Sequence, residues 1–427
     1  MWTASTYSPQ PGAIVYDQFG ALQVFDLATR QSRRVAVTLS ADLPQVRPRF
    51  QKVGGDDILH AAISATGKRV LLEAHGEILS VPAEKGDVRN LTRSPGVADR
   101  DPAWSPDGKS VAYFSDESGE YALHIRAADG LGTVTKINLG VPPSFFYSPR
   151  FSPDGRKIAY SDKRMNLWMA DLATKKLTRV DTDRFDTPLQ NLDSAWSPDS
   201  RWLAYTKQLP NFLRAVFVYS LEDGRVHQVT DGRSDAISPR FDKDGKALYF
   251  IGSTSVGLAQ GWIDMSSLAR PVTSSVYAAV LRKDLPSPVA PESDEAIEDD
   301  KKPDDAVEEK ENADTDGKKA SKPPKPVRID FEGLDQRIVA LPIDRANYSM
   351  LEIGSDGTLL LTANPVVLAD EDYVELQELP PQDVYRYDAK KRKAEKLIEQ
   401  IDGGSAAYGG RVTFLVSADG SKVLYMK

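Results

Sequence analysis

The sequence predicts an all-β protein, a β-propeller of four-stranded antiparallel blades with seven as the expected number of blades. Two observations predict this fold: a turn motif that recurs every 45 to 47 residues, and two hairpin-like strand pairs in each repeat. A third observation excludes a membrane-spanning helix. The longest apolar run, Val276–Leu281, is six residues, whereas a span needs about 18.

The recurring motif is an aromatic residue, then Ser-Pro-Asp-Gly or a close variant, then a second apolar run. Its clearest copies lie at Trp104–Tyr113, Phe151–Tyr160 and Trp196–Tyr205, with a looser copy from Phe241. Proline presets the backbone angle of a turn, and aspartate and glycine suit the positions after it, so the motif joins two strands of a hairpin. Fainter copies bring the total to seven, at Ser64–Gly67, Gly354–Gly357 and Ser417–Gly420.

A second hairpin completes each repeat, as in Leu167–Lys175 followed by Leu177–Val180. Two hairpins make a four-stranded blade, and blades must stack in a ring because one blade cannot bury both of its faces. The chain starts with a second-strand pattern at Ala13–Tyr16 and ends with another at Val423–Tyr425. These patterns are equally consistent with pairing between the two chain ends and with a last blade that is cut off midway. Six or eight blades are the alternatives to seven.

A charged segment interrupts the repeat at residues 286–326, where 13 acidic residues and 7 lysines are mixed with Pro and Ala. Such a composition cannot bury enough apolar surface to offset the entropy of ordering. We therefore expect a single propeller over residues 1–427 with a disordered charged insertion at 286–326. A solvated insertion is favoured over a tether for a partner. Ser275–Leu281 and Gln336–Leu341 are expected to be the outer strands of the interrupted blade.

The net charge of −8 argues against a nucleic-acid partner, which requires a concentrated basic face. The chain has no cysteine, so disulfides and thiolate metal sites are excluded. Met1–Ser5 lacks the basic start and apolar segment of a secretory signal. We expect no membrane association and a cytoplasmic location, with the periplasm as the alternative.

Motifs of known catalytic sites do not occur in the sequence. It contains no Gly-x-Ser-x-Gly elbow, no phosphate loop and no dinucleotide-binding glycine pattern. Asp242–Gly245 resembles the start of a calcium loop but lacks the later ligands, and Asp99 and Asp101 are interpreted as turn residues. The histidines lack the spacing of zinc ligands and are interpreted as structural: His60, His75, His124 and His227. We therefore predict no catalytic residue, no metal ligand and no cofactor.

Several stretches outside the repeat resemble the propeller region of tricorn-type serine peptidases. They are Pro82–Thr92 with Asp101–Gly108 after it, Thr206–Asn211, Leu285–Pro288 and Ile329–Arg337. The resemblance runs through essentially the whole chain. These stretches are more specific than the blade turns, which many propellers share.

The resemblance implies a position within a larger enzyme. Members of that family carry two propellers, a PDZ-like module and a catalytic domain, and this chain resembles the second, seven-bladed propeller. Nothing matches the catalytic serine, histidine or glutamate motifs, so no catalytic residue is carried over. The implied function is to gate or channel oligopeptides to a catalytic domain that is not on this chain. The implied partners are oligopeptides, the PDZ-like and catalytic domains of the same polypeptide, and identical subunits. The alternative is a stand-alone propeller that acts as a protein-interaction scaffold.

Overall fold

The structure is a computed structural model that describes residues 4–5, 12–18, 21–38, 40, 42, 44, 49–140, 142–184, 192–257, 259–260, 263–264, 271–291, 324–365, 380–403 and 414–427. Its regular secondary structure consists almost entirely of antiparallel strands, so the predicted all-β class is confirmed. Two compact units are present, Met1–Gly54 and Gly55–Lys427. In the described residues no helix is long and apolar enough to span a bilayer. The assignment of residues 1–427 to one propeller stays a prediction.

The first unit contains one four-stranded sheet. Its strands pair in chain order and are Ala4–Ser5, Ala13–Gln18, Ala21–Asp26 and Gln31–Arg34. The second-strand pattern at Ala13–Tyr16 does lie in the second strand here, and that strand pairs with Ala4–Ser5. Asp26 shapes the last turn, because its Oδ1 accepts hydrogen bonds from the backbone N–H groups of Ala28 and Thr29 at 2.9 and 2.8 Å.

The second unit contains the propeller blades. In each complete blade the strands, numbered 1 to 4, pair in chain order. Blade 1 is Ile58–Ile63, Arg69–Ala74, Glu77–Pro82 and Arg89–Asn90; blade 2 is Asp99–Trp104, Ser110–Ser115, Ala122–Ala127 and Thr135–Asn138; blade 3 is Phe146–Phe151, Lys157–Asp162, Asn166–Asp171 and Leu177–Thr182.

The second half of the ring follows the same plan. Blade 4 is Ser194–Trp196, Trp202–Gln208, Arg214–Ser220 and Val226–Gln228; blade 5 is Asp235–Phe241, Ala247–Ser253, Ser275–Val280 and Ile338–Ala340; blade 6 is Asn347–Ile353, Thr358–Asn364, Gln382–Asp388 and Lys393–Ile401. Blade 7 has two strands among the described residues, Phe414–Val416 and Val423–Tyr425. The remaining elements are the strand pair Ala259–Gln260 and Ile263–Asp264 and the 3-10 turns Gly55–Asp57, Asp335–Arg337 and Ser355–Gly357.

All seven motif copies lie at the turn between strands 1 and 2 of a blade. Antiparallel pairing therefore places them on one face of the propeller, which we call the turn face. In blade 2 the Ser105 hydroxyl donates to Asp107 Oδ1 at 2.6 Å, and the same oxygen accepts the Lys109 N–H at 3.0 Å. The same Ser–Asp bond recurs at 2.5 to 2.6 Å in blades 3, 4 and 7. The motif thus closes these four hairpins with its own side chains.

The core lies between the blades, because alternate side chains of a strand point to opposite faces of the sheet. Between blades 2 and 3, for example, Phe114, Phe146 and Tyr160 are buried together, with ring centroids 5.6 to 5.9 Å apart. Between blades 4 and 5 the cluster includes Val216 and Phe250. Each blade is therefore held mainly by its two neighbours.

Blade 7 connects blade 6 to blade 1. The Asp419 N–H donates to the Ala65 carbonyl of blade 1 at 3.1 Å, and the Gly420 carbonyl accepts the Ser355 N–H of blade 6 at 3.1 Å. Within the described residues of this unit, Val423–Tyr425 pairs with Phe414–Val416.

The predicted insertion at 286–326 falls largely on residues 292–323, which lie outside the described residues. Ser275–Val280 and Ile338–Ala340 are strands 3 and 4 of blade 5. The returning chain is attached to blade 4. The Val327 N–H donates to Asp199 Oδ2 at 2.7 Å, and Trp202 Nε1 donates to the Val327 carbonyl at 3.0 Å.

Candidate functional site in the central channel

Strand 1 of several blades carries a bulge at the same position. The pairing register with strand 2 shifts there in blades 1, 2, 3, 5 and 6. Three residues at the bulge have positive φ angles, Asp101 (53°), Ser148 (51°) and Ser238 (51°), and each precedes a proline. A bulge bends its strand and re-aims the neighbouring side chains. Here those side chains line two cavities that are enclosed largely by strand 1 of the blades, and we call this space the central channel.

Four of the channel side chains form a chain of alternating charges across four consecutive blades. An Nη atom of Arg150 in blade 3 lies 3.2 Å from Asp193 Oδ1, just before strand 1 of blade 4. Asp193 Oδ2 lies 2.9 Å from Arg240 in blade 5, and Arg240 lies 2.8 Å from Glu352 Oε1 in blade 6. We call these four residues the charge chain.

The middle of the charge chain is buried, since the Arg240 side chain is 8% exposed. Burial disfavours its charge, but the carboxylates of Asp193 and Glu352 outweigh burial and raise the pKa of Arg240 above its usual value. Burial likewise works to raise the pKa of Asp193, and the charges of Arg240 and Arg150 outweigh it, so this pKa lies below its usual value. The interactions therefore hold both groups in their charged forms.

The channel contains two cavities that meet at the charge chain. One, of about 310 Å³, lies towards the face opposite the turns and is lined by Asp193 and Arg240. The other, of about 570 Å³, lies at the turn face beside the motif prolines, and we call it the turn-face cavity. Arg150, Glu352 and Leu415 line both cavities. The two cavities thus adjoin at these three side chains.

A second charged cluster lies on the blade 1 and blade 2 side of the turn-face cavity. His60 Nδ1 is 2.8 Å from Glu73 Oε2, and His60 Nε2 is 3.4 Å from Asp101 Oδ1. Glu73 Oε2 also accepts the Asp101 N–H at 2.8 Å, and Arg100 lies 3.2 Å from Asp101. Burial opposes protonation of His60, but the hydrogen bond to Glu73 and the charges of Asp101 and Glu73 outweigh it and raise the pKa of His60.

The interpretation of Asp99 and Asp101 as turn residues is wrong. Both lie in strand 1 of blade 2, where they are 2% and 5% exposed. Asp101 is at the bulge, where its backbone N–H bonds to Glu73 and its carboxylate contacts His60 and Arg100. An aspartate before a proline resembles a turn in the sequence, and only the pairing with strand 2 shows the bulge.

The other candidate residues lie apart from the channel. Burial lowers the pKa of His124 to about 4, and His227 stacks on Phe331 with ring centroids 3.9 Å apart. His75 is 3.5 Å from Asp57. Asp242–Gly245, which resembles a calcium loop, is the 1–2 turn of blade 5. Within the described ranges, no three His, Asp or Glu side chains are grouped as metal ligands.

Sequence reasoning missed the charge chain, although the repeat contains a signal for it. Ser148–Phe151 and Ser238–Phe241 both read Ser-Pro-Arg-Phe immediately before the turn motif. The two arginines therefore occupy the same position in blades 3 and 5. Glu352 precedes the turn of blade 6 at the matching place. Alignment of the residues just before each motif copy identifies these positions as a set.

Comparison with known families and proteins gives one consistent result. The sequence model of the family described as "Tricorn protease second beta propeller domain" matches residues 58–427. "Tricorn protease homolog 1" of Streptomyces coelicolor is 28% identical over 369 residues, which cover 84% of this chain and 32% of that protein. "Tricorn protease homolog" of Saccharolobus solfataricus is 22% identical over 353 residues, which cover 83% of this chain and 29% of that protein.

A solved structure shares the fold. The crystal structure of the tricorn protease superimposes with a TM-score of 0.64 at 17% identity, over 96% of this chain and 36% of that one. At this identity the likeness shows the fold alone. The chain spans about a third of the length of the curated relatives that it matches.

Proposed function

Because the chain belongs to the family of the tricorn protease second β-propeller domain, we propose that it gates or channels oligopeptides towards a catalytic domain outside these 427 residues. It acts as the propeller portion of a tricorn-like serine peptidase. The PDZ-like and catalytic domains of that peptidase and identical subunits are the proposed partners, and the proposed location is the cytoplasm.

The pair of adjoining cavities in the channel is the observation that carries this proposal. Its cavities of about 310 and 570 Å³ fall in the range of small-ligand sites, roughly 300 to 1,000 Å³. Their walls present carboxylates, guanidinium groups and an imidazole, which complement the termini and amides of a peptide. A route that passes the charge chain selects peptides by charge.

The absence of cysteine allows a direct test. A single Ser148→Cys variant places one thiol in the turn-face cavity, and a bulky maleimide attached there fills part of the channel. We expect the unlabelled variant to bind fluorescent oligopeptides in anisotropy titrations and the labelled one to bind them at least tenfold more weakly. A labelled Ser118→Cys variant is the matched control, since Ser118 is exposed in the loop before strand 3 of blade 2.

The proposal also predicts that the purified chain binds oligopeptides without cleaving them. Peptidase turnover by these 427 residues contradicts the proposal. Peptide binding that is unaffected by the label at position 148 also contradicts it and favours the stand-alone scaffold, whose binding surface lies outside the channel.

A further inference from the structure

Arg150 is the accessible end of the charge chain. Its side chain is 41% exposed, compared with 8% for Arg240, 27% for Asp193 and 25% for Glu352. In the described part of the chain its guanidinium has one ion-pair partner, Asp193 at 3.2 Å. A guanidinium has five N–H donors in a planar fork. Arg150 therefore keeps donor capacity at the place where both cavities meet.

Glu352, at the other end of the charge chain, is already engaged. Its Oε1 accepts hydrogen bonds from both Nε and an Nη of Arg240, at 3.1 and 2.8 Å. An incoming ammonium group has to compete with this two-donor contact. An incoming carboxylate competes instead with a single ion pair, the one between Arg150 and Asp193. The Arg150 end of the charge chain is therefore more open to a ligand carboxylate than the Glu352 end is to a ligand ammonium group.

The acidic side chains of the turn-face cavity already have cationic partners. The wall of this cavity includes the basic side chains of Arg150, His60 and Lys243 and the acidic side chains of Asp101 and Glu352. Asp101 contacts His60 and Arg100, and Glu352 contacts Arg240. Both acidic groups of the wall are thus paired with cations, whereas Arg150 keeps donors beyond its single ion pair with Asp193.

From these contacts we infer that Arg150 binds the C-terminal carboxylate of an oligopeptide that enters the turn-face cavity. The inference rests on the proposed function and names the chemical group by which the channel selects its peptides. The planar fork of an arginine matches a carboxylate with two parallel N–H···O bonds. The peptide carboxylate competes with Asp193 for the Arg150 guanidinium, so binding of the peptide weakens the ion pair between Arg150 and Asp193.

The test compares one peptide in two forms. An alanine pentapeptide with an N-terminal fluorescein is prepared as the free acid and as the C-terminal amide, and both are titrated against the full chain by anisotropy. A hydrogen bond to a charged group implies that the free acid binds about tenfold more tightly than the amide. Arg150→Gln is expected to weaken the free acid to the level of the amide and to leave the amide unchanged, while Arg150→Lys restores part of the difference.

Arg156→Gln is the matched control, because Arg156 is an exposed arginine at the turn of the same blade and is expected to change neither affinity. The melting temperature of each variant verifies that the fold is retained. Equal affinity of the wild-type chain for the free acid and the amide overturns the role of Arg150. An equal loss of affinity for both peptides in Arg150→Gln overturns it as well. Both results leave the channel proposal standing. Binding of neither form to the wild-type chain overturns the proposed function itself.

Discussion

Arg240 links two carboxylates from neighbouring blades and is the most buried member of the charge chain. Because Arg240 pairs with a carboxylate on each side, its substitution breaks two ion pairs. Because Asp193 and Glu352 come from different blades, Arg240 also connects blades 4 and 6 through blade 5. At the scale of single residues, the stability of the channel wall therefore depends on the pairing of buried charges.

We predict that Arg240→Met lowers the free energy of unfolding by about 3 to 5 kcal/mol, because it leaves two partly buried carboxylates without their shared cation. Chemical denaturation of the full chain measures the change. Arg156→Met, on the exposed turn of blade 3, is expected to stay within about 0.5 kcal/mol of the wild type. Equal effects of the two substitutions contradict the role given to Arg240.

His60 makes stability depend on pH. Its folded pKa is raised by Glu73 and Asp101 against the effect of burial. Its contribution is therefore fully present below the unfolded pKa of about 6.5 and is lost as the pH rises through the higher folded pKa. We predict that the stability difference between the wild type and His60→Gln shrinks as the pH rises from about 6 to about 9.

Denaturant titrations of both proteins across this pH range measure that difference. His75→Gln is the control, because the His75 side chain is 47% exposed. A difference that stays constant or grows with pH shows that the carboxylates do not favour the His60 imidazolium in the folded protein.

The repeat marks equivalent positions of strand 1, but the sequence does not show which of their side chains meet in the channel, and the reason is geometric. A residue of strand 1 reaches the axis only where the bulge re-aims it, and a bulge depends on the register with strand 2. Asp101 illustrates this, since it was interpreted as a turn residue and lies in a buried strand. Arg150 and Arg240 stand at equivalent positions of the repeat, but which partners they meet depends on the neighbouring blades.

At the scale of elements, the sequence was far more informative. The turn motif encodes its own hydrogen bonds, because its serine and aspartate bond to each other and to the backbone of the same hairpin. Local chemistry of this kind can be predicted without knowledge of the rest of the fold. The strands on both sides of the charged insertion were also predicted, since their apolar patterns remain those of a blade.

The turn of blade 4 has a second role that the repeat did not predict. Asp199 closes its hairpin, as Asp107 does in blade 2, and also accepts the Val327 N–H at 2.7 Å. We predict that Asp107→Ala costs about 1 kcal/mol of stability and that Asp199→Ala costs about 1.5 to 3 kcal/mol more, because a charge-assisted hydrogen bond is lost as well.

Equilibrium denaturation of the two variants measures this difference. Hydrogen exchange adds a local readout, because faster exchange at Val327 is expected in Asp199→Ala and not in Asp107→Ala. Equal losses of stability with unchanged exchange at Val327 contradict the attachment of the returning chain to blade 4.

At the scale of the whole molecule, the ring depends on contacts of blade 7. Gly420 lies at the turn of blade 7 with φ +74°, and its carbonyl accepts the Ser355 N–H. A Cβ atom at this position lies 2.4 Å from the carbonyl carbon of Gly354 and 2.5 Å from the Ser355 nitrogen. The backbones of blades 6 and 7 therefore meet at a distance that only glycine allows.

We predict that Gly420→Ala destabilises the propeller by about 1 to 3 kcal/mol more than Gly108→Ala does, because only the first substitution introduces a clash with backbone atoms. Gly108 is the matched control, since it has φ +69° and open space around its Cβ position. Both substitutions share the cost of a left-handed residue, about 1 to 2 kcal/mol. Thermal unfolding measures the difference, and equal losses contradict closure of the ring at blade 7.

Occupancy of the channel by oligopeptides can be measured directly. A pentapeptide that carries a photoreactive group is cross-linked to the full chain, and mass spectrometry identifies the labelled residues. We expect these residues to line the two cavities, with Arg150, Leu415 and their neighbours among them. Labels confined to the outer strands of the blades or to residues 1–54 would contradict binding in the channel.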